Sequence, residues 1–441
     1  MIVRRPELLS PAGNFEKLEA ALRYGADAVY LAGRAFGMRS AADNFTVEEI
    51  FRAVGLAHAQ GKKVYLTVNT MPHADEYAAL REFLTALRGC AIDAMIVADL
   101  GVVATVRELL PDMEIHISTQ ASIVSAASAK AYAALGASRV VLARELTLEE
   151  IRRIRAELDP AIELEAFIHG SMCVSYSGRC LLANALNGRD GNRGTCTQPC
   201  RWNYSIVEEK RPDMPLPIEQ TDLGTFIMSS RDLCMIEHIP ELCESGISSF
   251  KIEGRMKSAY YTAVVTNAYR MAIDAYLADP AGYRFDPRLQ TELESVSHRE
   301  YGTGFFFAKP MEAANLVSTC GYIREKAYFS TAIEPCAEEL SALAALGVKE
   351  ETEGGRLCRF IQRNKLSAGE CAELVSPGLV GRPFVATELY ASDGTALEST
   401  PHPSMIYWCR VPFTVHVGDI LRAGESRGLE VRAHDRLKGD C

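Results

Sequence analysis

Short apolar, β-branched runs recur between Glu7 and Arg255, and the segments between them bring their apolar positions back at the spacing of a helix. The runs are ELLSPAG, AVYLAG, VYLTVNT, AMIVAD, IHISTQ, RVVLAR, LEAFIHG and FKIEGR. Between them NFEKLEAALRYG, TVEEIFRAVGLAHAQG, DEYAALREFLTALRG, LGVVATVRELLP, ASIVSAASAKAYAALG and LTLEEIRRIRAEL read as amphipathic helices. Several open on an Asn, Thr or Asp that can cap orphan backbone N–H groups. Strand and helix alternating eight times predict an α/β fold, a (β/α)8 TIM-like barrel, with a doubly wound open sheet as the alternative.

After the eighth run, SAYYTAVVTNAYRMAIDAYLAD predicts a closing helix, so the barrel domain spans 1–285 and a mixed connector spans 286–319. From 320 to 441 the pattern changes to short strand-like runs divided by turn signals, as in GECAELVSPG, RPFVATELYASDGTAL and PFTVHVGDILRAG. They predict a small antiparallel β-barrel domain with SDGT as a hairpin turn. Two domains suit a chain of 441 residues, which exceeds what one hydrophobic core usually serves.

Composition narrows the partners. With 48% apolar and 24% charged residues the chain reads as globular, and a net charge of −10 gives no global attraction to nucleic acid or anionic lipid. Any RNA contact must rest on local patches. No segment approaches the roughly 20 apolar residues that span a bilayer, and MIVRRPELLSPAG lacks the apolar run of a signal peptide. The expectation is a cytoplasmic protein with no membrane partner.

Barrel enzymes work at the carboxyl ends of their strands. Here those ends are polar: Ser10, Tyr30, Asn69, Asp99, Gln120, Arg144, His169, Lys251, Glu253 and Arg255. Between the seventh and eighth runs, GSMCVSYSGRCLLANALNGRDGNRGTCTQPCRW (170–202) places Cys173, Cys180, Cys196 and Cys200 in one glycine-punctuated loop, spaced by six, fifteen and three residues. Thirteen cysteines without an export signal point to reduced thiols and metal ligation rather than disulfides. Four thiolates suit zinc or an iron–sulfur cubane. Because zinc sites favour two tight Cys pairs, the six-residue first gap favours a cluster. A radical S-adenosylmethionine motif fails, since Asn203 stands where its third cysteine is needed. Cys234 is a candidate substitute ligand, although its apolar surroundings also fit a core cysteine.

The phrases ELLSPAGNFEKLEAALRYGADAVYLAG, EAFIHGSMCVSYSGRC, GNRGTCTQPCRW and FKIEGRMKSAYY resemble the collagenase-like peptidase family U-32, over the whole barrel and more weakly beyond it. Within that family the TCTQPCRW wording and the short carboxyl-terminal domain resemble the members that hydroxylate tRNA in a prephenate-dependent way. The resemblance implies a 4Fe-4S cluster on Cys173, Cys180, Cys196 and Cys200. It further implies 5-hydroxyuridine at the tRNA wobble position, with prephenate as co-substrate. Other members hydroxylate ribosomal RNA or a quinone precursor, and a cluster-bearing protein without chemistry is a further alternative.

The family's name also raises peptide hydrolysis, yet neither a His-Glu-x-x-His zinc helix nor a Gly-x-Ser-x-Gly elbow occurs. A His169–Cys173 nucleophile pair is conceivable, but a thiolate bound to metal cannot also attack a peptide. For RNA, Arg189, Arg193, Arg201, Lys210, Arg211, Arg255 and Lys257 are candidates for phosphates or for a small-molecule carboxylic acid. Tyr260 and Tyr261 are candidates for stacking on a base, and Asn69, Gln120 and His169 for reading its edge.

Overall fold

Residues alternate sides along a strand, so period-two patterning inside each run decides which side chains enter a barrel and which face its helices. In the computed structural model, residues 5–39, 43–173, 175–202, 206–208, 211–216, 230–309 and 322–424 are described. The eight runs form β1 (Glu7–Pro11), β2 (Ala28–Ala32), β3 (Lys63–Val68), β4 (Ala94–Val97), β5 (Ile115–Ile117), β6 (Ala137–Val141), β7 (Glu163–Ser171) and β8 (Ser249–Ile252). All are parallel in the order β8-β1-β2-β3-β4-β5-β6-β7, and β8 also pairs with β7, which closes the barrel. The open-sheet alternative is thereby excluded.

Each of the first six strands leads into a helix: α1 (Phe15–Arg23), α2 (Val47–His58), α3 (Tyr77–Ala86), α4 (Leu100–Leu109), α5 (Ala126–Ala134) and α6 (Leu148–Glu157). The caps expected from sequence are present. Asn14 and Asp99 accept from backbone N–H groups, and Thr46 and Thr147 form reciprocal boxes with Glu49 and Glu150. After the loop that follows β7 come a short strand Asp232–Cys234, α7 (Ile239–Glu244), β8 and the long closing helix α8 (Ala259–Ala278).

The barrel interior departs from an all-apolar filling. Leu9, Ala28, Tyr30, Tyr65, Ala94 and Ile96 pack there. Against them Arg139 pairs with Glu7 at 2.7 Å, Glu163 at 2.6 Å and Glu165 at 3.1 Å, and Lys251 donates to Glu165 at 2.6 Å. Charges this deep persist only when each has a partner.

The carboxyl-terminal domain is one antiparallel sheet. Its strands are β9 (Tyr328–Ala332), β10 (Gly355–Gln362), β11 (Glu370–Val375), β12 (Arg382–Ala386), β13 (Leu389–Ala391), β14 (Ile406–Val411) and β15 (Ile420–Ala423), ordered β12-β11-β15-β9-β10-β14-β13. The opposite edge strands β12 and β13 are separated in sequence only by Thr387 and Glu388. The sheet must therefore curl until its edges approach, which gives the barrel-like form expected. The SDGT turn closes a hairpin, with Ala391 donating to Thr395. Arg422 ties the two domains together, reaching Glu292 at 2.6 Å, Glu373 at 2.7 Å and Ser295 at 2.8 Å. Among the described residues no helix is long and apolar enough to cross a membrane.

Candidate active site

A cavity of about 200 Å3 opens at the carboxyl ends of the strands, where barrels carry their chemistry. Asn69, Gln120, Arg144, Lys251, Glu253 and Arg255 line it, together with Cys173, Cys180, Cys196 and Cys200. The barrel ends and the cysteine loop thus form one site.

The loop leaves β7 at Ser171 and turns back over the mouth by left-handed glycines. At Gly178, φ is +73°, and a Cβ would sit 2.2 Å from the carbonyl oxygen of Gln120. Only glycine allows both that conformation and that approach. Ser122, itself left-handed at φ +56°, donates to the carbonyl of Ser177, so the loop is pinned to the turn that follows β5. Cys173 and Cys196 are exposed, Cys180 and Cys200 are half-buried, and all four thiols are free. Among the described residues no three His, Cys, Asp or Glu side chains are gathered as a closed metal site. The donor set nevertheless fits a soft metal group: four free thiols line one cavity beside a guanidinium. That guanidinium is Arg39, which lies 3.5 Å from Glu253; Glu253 first, then Cys173 and Cys196, hold its pKa above the ordinary arginine value.

Four cations, Arg39, Arg144, Arg255 and Lys251, surround Glu253. Burial alone would raise its carboxyl pKa, but their combined field holds it below the usual range. Arg144 stacks on Phe167 at 4.0 Å and donates to the Ser171 carbonyl at 2.6 Å. Arg255 is only 3% exposed, contacts Thr67 at 3.4 Å, and is pushed down to about 10 by burial. A phosphate on an RNA surface cannot use so buried a side chain. Arg255 therefore faces the cavity and not an outer RNA-binding surface, against the expectation of a phosphate contact.

The two amides differ. Asn69 accepts from the Met38 N–H at 3.2 Å and donates to Ser118 at 3.3 Å, so both ends are already used by the protein. Gln120 is 7% exposed, and neither its carbonyl nor its amide nitrogen has a partner.

Several expectations are corrected. His169 is 1% exposed among Tyr261, Tyr269 and Tyr301, and burial lowers its pKa to about 3. It does not line the cavity, so it neither reads a base there nor pairs with Cys173 as a nucleophile. The cause is local: the β7–β8 register shifts between Lys251 and Ile252, which pair with Phe167 and His169, so β7 carries one extra residue. Such a bulge re-aims the next side chain.

Lys257 donates to the Ser297 carbonyl at 2.8 Å and lies over the ring of Tyr322, with burial lowering its pKa to about 8. Tyr260 is buried and bonded to Ser295, and Tyr261 is buried with its hydroxyl on the Glu253 carbonyl. None of the three lines the cavity, and neither ring is free to stack on a base. Ser10 bonds Thr266 behind the barrel, and Asp99 caps α4. Cys234 sits near Gln290 and Tyr269, outside the cavity, and burial lifts its thiol to about 12, so it is no substitute ligand.

The expected basic patch is only partly gathered: Arg201 lines the cavity beside Arg255, while Arg189, Arg193 and Lys257 do not. Arg193 pairs with Glu76 at 2.6 Å, Arg201 contacts Gln198 and Tyr322, and Arg189 is exposed. Lys210, the side chain of Arg211 and the 319–320 boundary lie outside the described residues.

Sequence reasoning missed Arg39 and Glu145. Both line the cavity, and Glu145 accepts from the backbone and hydroxyl of Ser177. Arg39 falls in GRAFGMRS, a stretch without strand or helix period. Its one available signal was a basic residue in a glycine-bearing loop after a barrel strand.

Comparison with known proteins adds three relatives and two family matches. The model for peptidase family U32 matches residues 13–315, and that for the U32 carboxyl-terminal domain matches 344–422. A tRNA hydroxylation protein P1 of Bacillus subtilis is 37% identical over 425 residues, covering 96% of each chain. A tRNA hydroxylation protein P of Escherichia coli is 35% identical, covering 92% of this chain and 94% of that one. A 23S rRNA 5-hydroxycytidine synthase of Escherichia coli is 38% identical over 276 residues, covering 62% of this chain and 40% of that one.

Proposed function

The chain belongs to peptidase family U32, and from that premise we propose that it is an RNA hydroxylase that forms 5-hydroxyuridine at the wobble position of tRNA. The observation that carries this reading is the sharing of one cavity by four free thiols, four guanidinium groups and an unpartnered amide. Relatives named for tRNA hydroxylation, similar over nearly the whole chain, support the same assignment.

In this reading Cys173, Cys180, Cys196 and Cys200 hold an iron–sulfur cluster, which would supply one-electron chemistry when bound. The protein's own groups do the rest. Arg39, Arg144 and Arg255 offer planar donors for the carboxylates of a prephenate-like acid as co-substrate. The cavity lies below the loop, so the target base must leave its stack to enter it. Glu253 is held ionised by the surrounding cations, and its charge would orient Arg39 inside the cavity. The removal of His169 from the cavity leaves the thiols there without a histidine partner, which counts against a cysteine peptidase.

The test is genetic. In a strain lacking the gene and any paralogue, tRNA should lose 5-hydroxyuridine and nucleosides made from it, and the intact gene should restore them. Unchanged wobble uridine modification would overturn the tRNA assignment. Loss of a hydroxycytidine from ribosomal RNA instead would support the reading that the third relative favours.

A further inference from the structure

Gln120 is the one cavity side chain, among the described residues, whose amide nitrogen and carbonyl oxygen are both buried without a partner. A buried polar group left unpaired carries its full desolvation penalty, so an orphaned pair calls for a ligand. The geometry that holds it is built rather than incidental. Gln120 lies in the turn Thr119–Ala121, capped by Ser118 and clamped from above by Gly178 and Ser177 of the cysteine loop. Gly178 is two residues from Cys180, so the amide and a thiol of the cavity are fixed by the same contact.

We infer that Gln120 reads the Watson–Crick edge of the pyrimidine that enters the cavity, and so is a specificity-determining residue; this rests on the hydroxylase reading above. The chemistry of the orphaned pair selects the ligand. A carboxylate only accepts, so it would satisfy the amide nitrogen and leave the carbonyl bare. Uracil presents an O4 acceptor beside an N3–H donor, which matches both halves of a carboxamide at once. Cytosine presents the reverse order, which a flipped amide also matches, so Gln120 selects a free Watson–Crick edge rather than uracil over cytosine. The guanidinium groups Arg39, Arg144 and Arg255 remain for an acid. Asn69 differs, because its amide already accepts from Met38 and donates to Ser118.

The experiment uses cluster-loaded full-length protein, handled without oxygen, and two anticodon stem-loop RNAs. One carries uridine at the wobble position and the other N3-methyluridine, which lacks the N3–H donor. Anisotropy titration should show the wild type binding the uridine RNA about 10- to 100-fold more tightly, the discrimination usual for a bidentate base contact. Gln120→Met, similar in size but without either polar group, should bring the two affinities to within about twofold. Gln120→Glu, which keeps an acceptor for N3–H and loses the donor to O4, should weaken uridine RNA binding while still preferring it to the N3-methyluridine RNA, and a melting curve for each variant establishes that it folds. Retention of the wild-type ratio in folded Gln120→Met would overturn the inference and leave the hydroxylase reading standing. A wild-type ratio near one would also overturn it. Failure to bind either RNA would overturn both.

Discussion

Replacing Cys196 by serine should remove 5-hydroxyuridine from the tRNA of a strain that carries only the variant gene. Cys196 is an exposed thiol on the wall of the cavity. Apart from accepting the Gln198 N–H at 3.3 Å it carries little of the fold. Loss of a hydrogen-bond partner of a metal ligand alone costs roughly 10- to 100-fold in affinity or activity. Loss of a ligand should exceed that, so product should fall on the order of a hundredfold or more. Cys234→Ala is the control, since Cys234 packs outside the cavity. Mass spectrometry of digested tRNA should find product with Cys234→Ala and none with Cys196→Ser. The reverse pattern would show that the loop spacing misassigned the ligands.

The second large effect is on stability. Glu165 is fully buried and is the shared partner of Lys251 at 2.6 Å and Arg139 at 3.1 Å. Glu165→Ala would leave two cations in the barrel with too little countercharge, and breaking a buried pair in this way typically costs about 3–5 kcal/mol. Urea unfolding at neutral pH should register that loss. The pH dependence has a defined sign. Burial would raise the Glu165 pKa, but Lys251, Arg139 and His116 outweigh it and hold it below the ordinary carboxylate value. A depressed folded pKa contributes stability above the unfolded value, about 4.3, and loses it as pH falls through the folded one. The wild type should therefore lose this contribution in acid, and the difference between wild type and Glu165→Ala should shrink there. An unchanged midpoint for the variant at neutral pH would contradict the account.

The barrel was legible because parallel strands covered by helices must be short apolar runs, and all eight runs became strands, even the three-residue Ile115–Ile117. Which strand-end residues face the mouth was less legible. A position at a strand end does not state its side, and one residue of offset reverses it. Ser10, next to the inward Leu9, points to Thr266 on α8. His169 shares the inward parity of Glu165 and Phe167, but the β7 bulge breaks that parity, and no local residue type announces a bulge. Tyr260 and Tyr261 begin a helix whose first turns are buried on nearly every side, partly by the second domain through Arg422. That burial is a tertiary event that a window of sequence does not contain. The four cysteines were legible because thiols cluster in a loop only for a reason, and the structure brings all four to one cavity.

The central claim is that this cavity holds redox-active iron on the four cysteines, and metal analysis of protein purified without oxygen tests it most directly. The account predicts brown protein with broad absorption near roughly 400 nm and about four irons and four acid-labile sulfides per chain. Colourless protein carrying about one zinc per chain and no iron would contradict it.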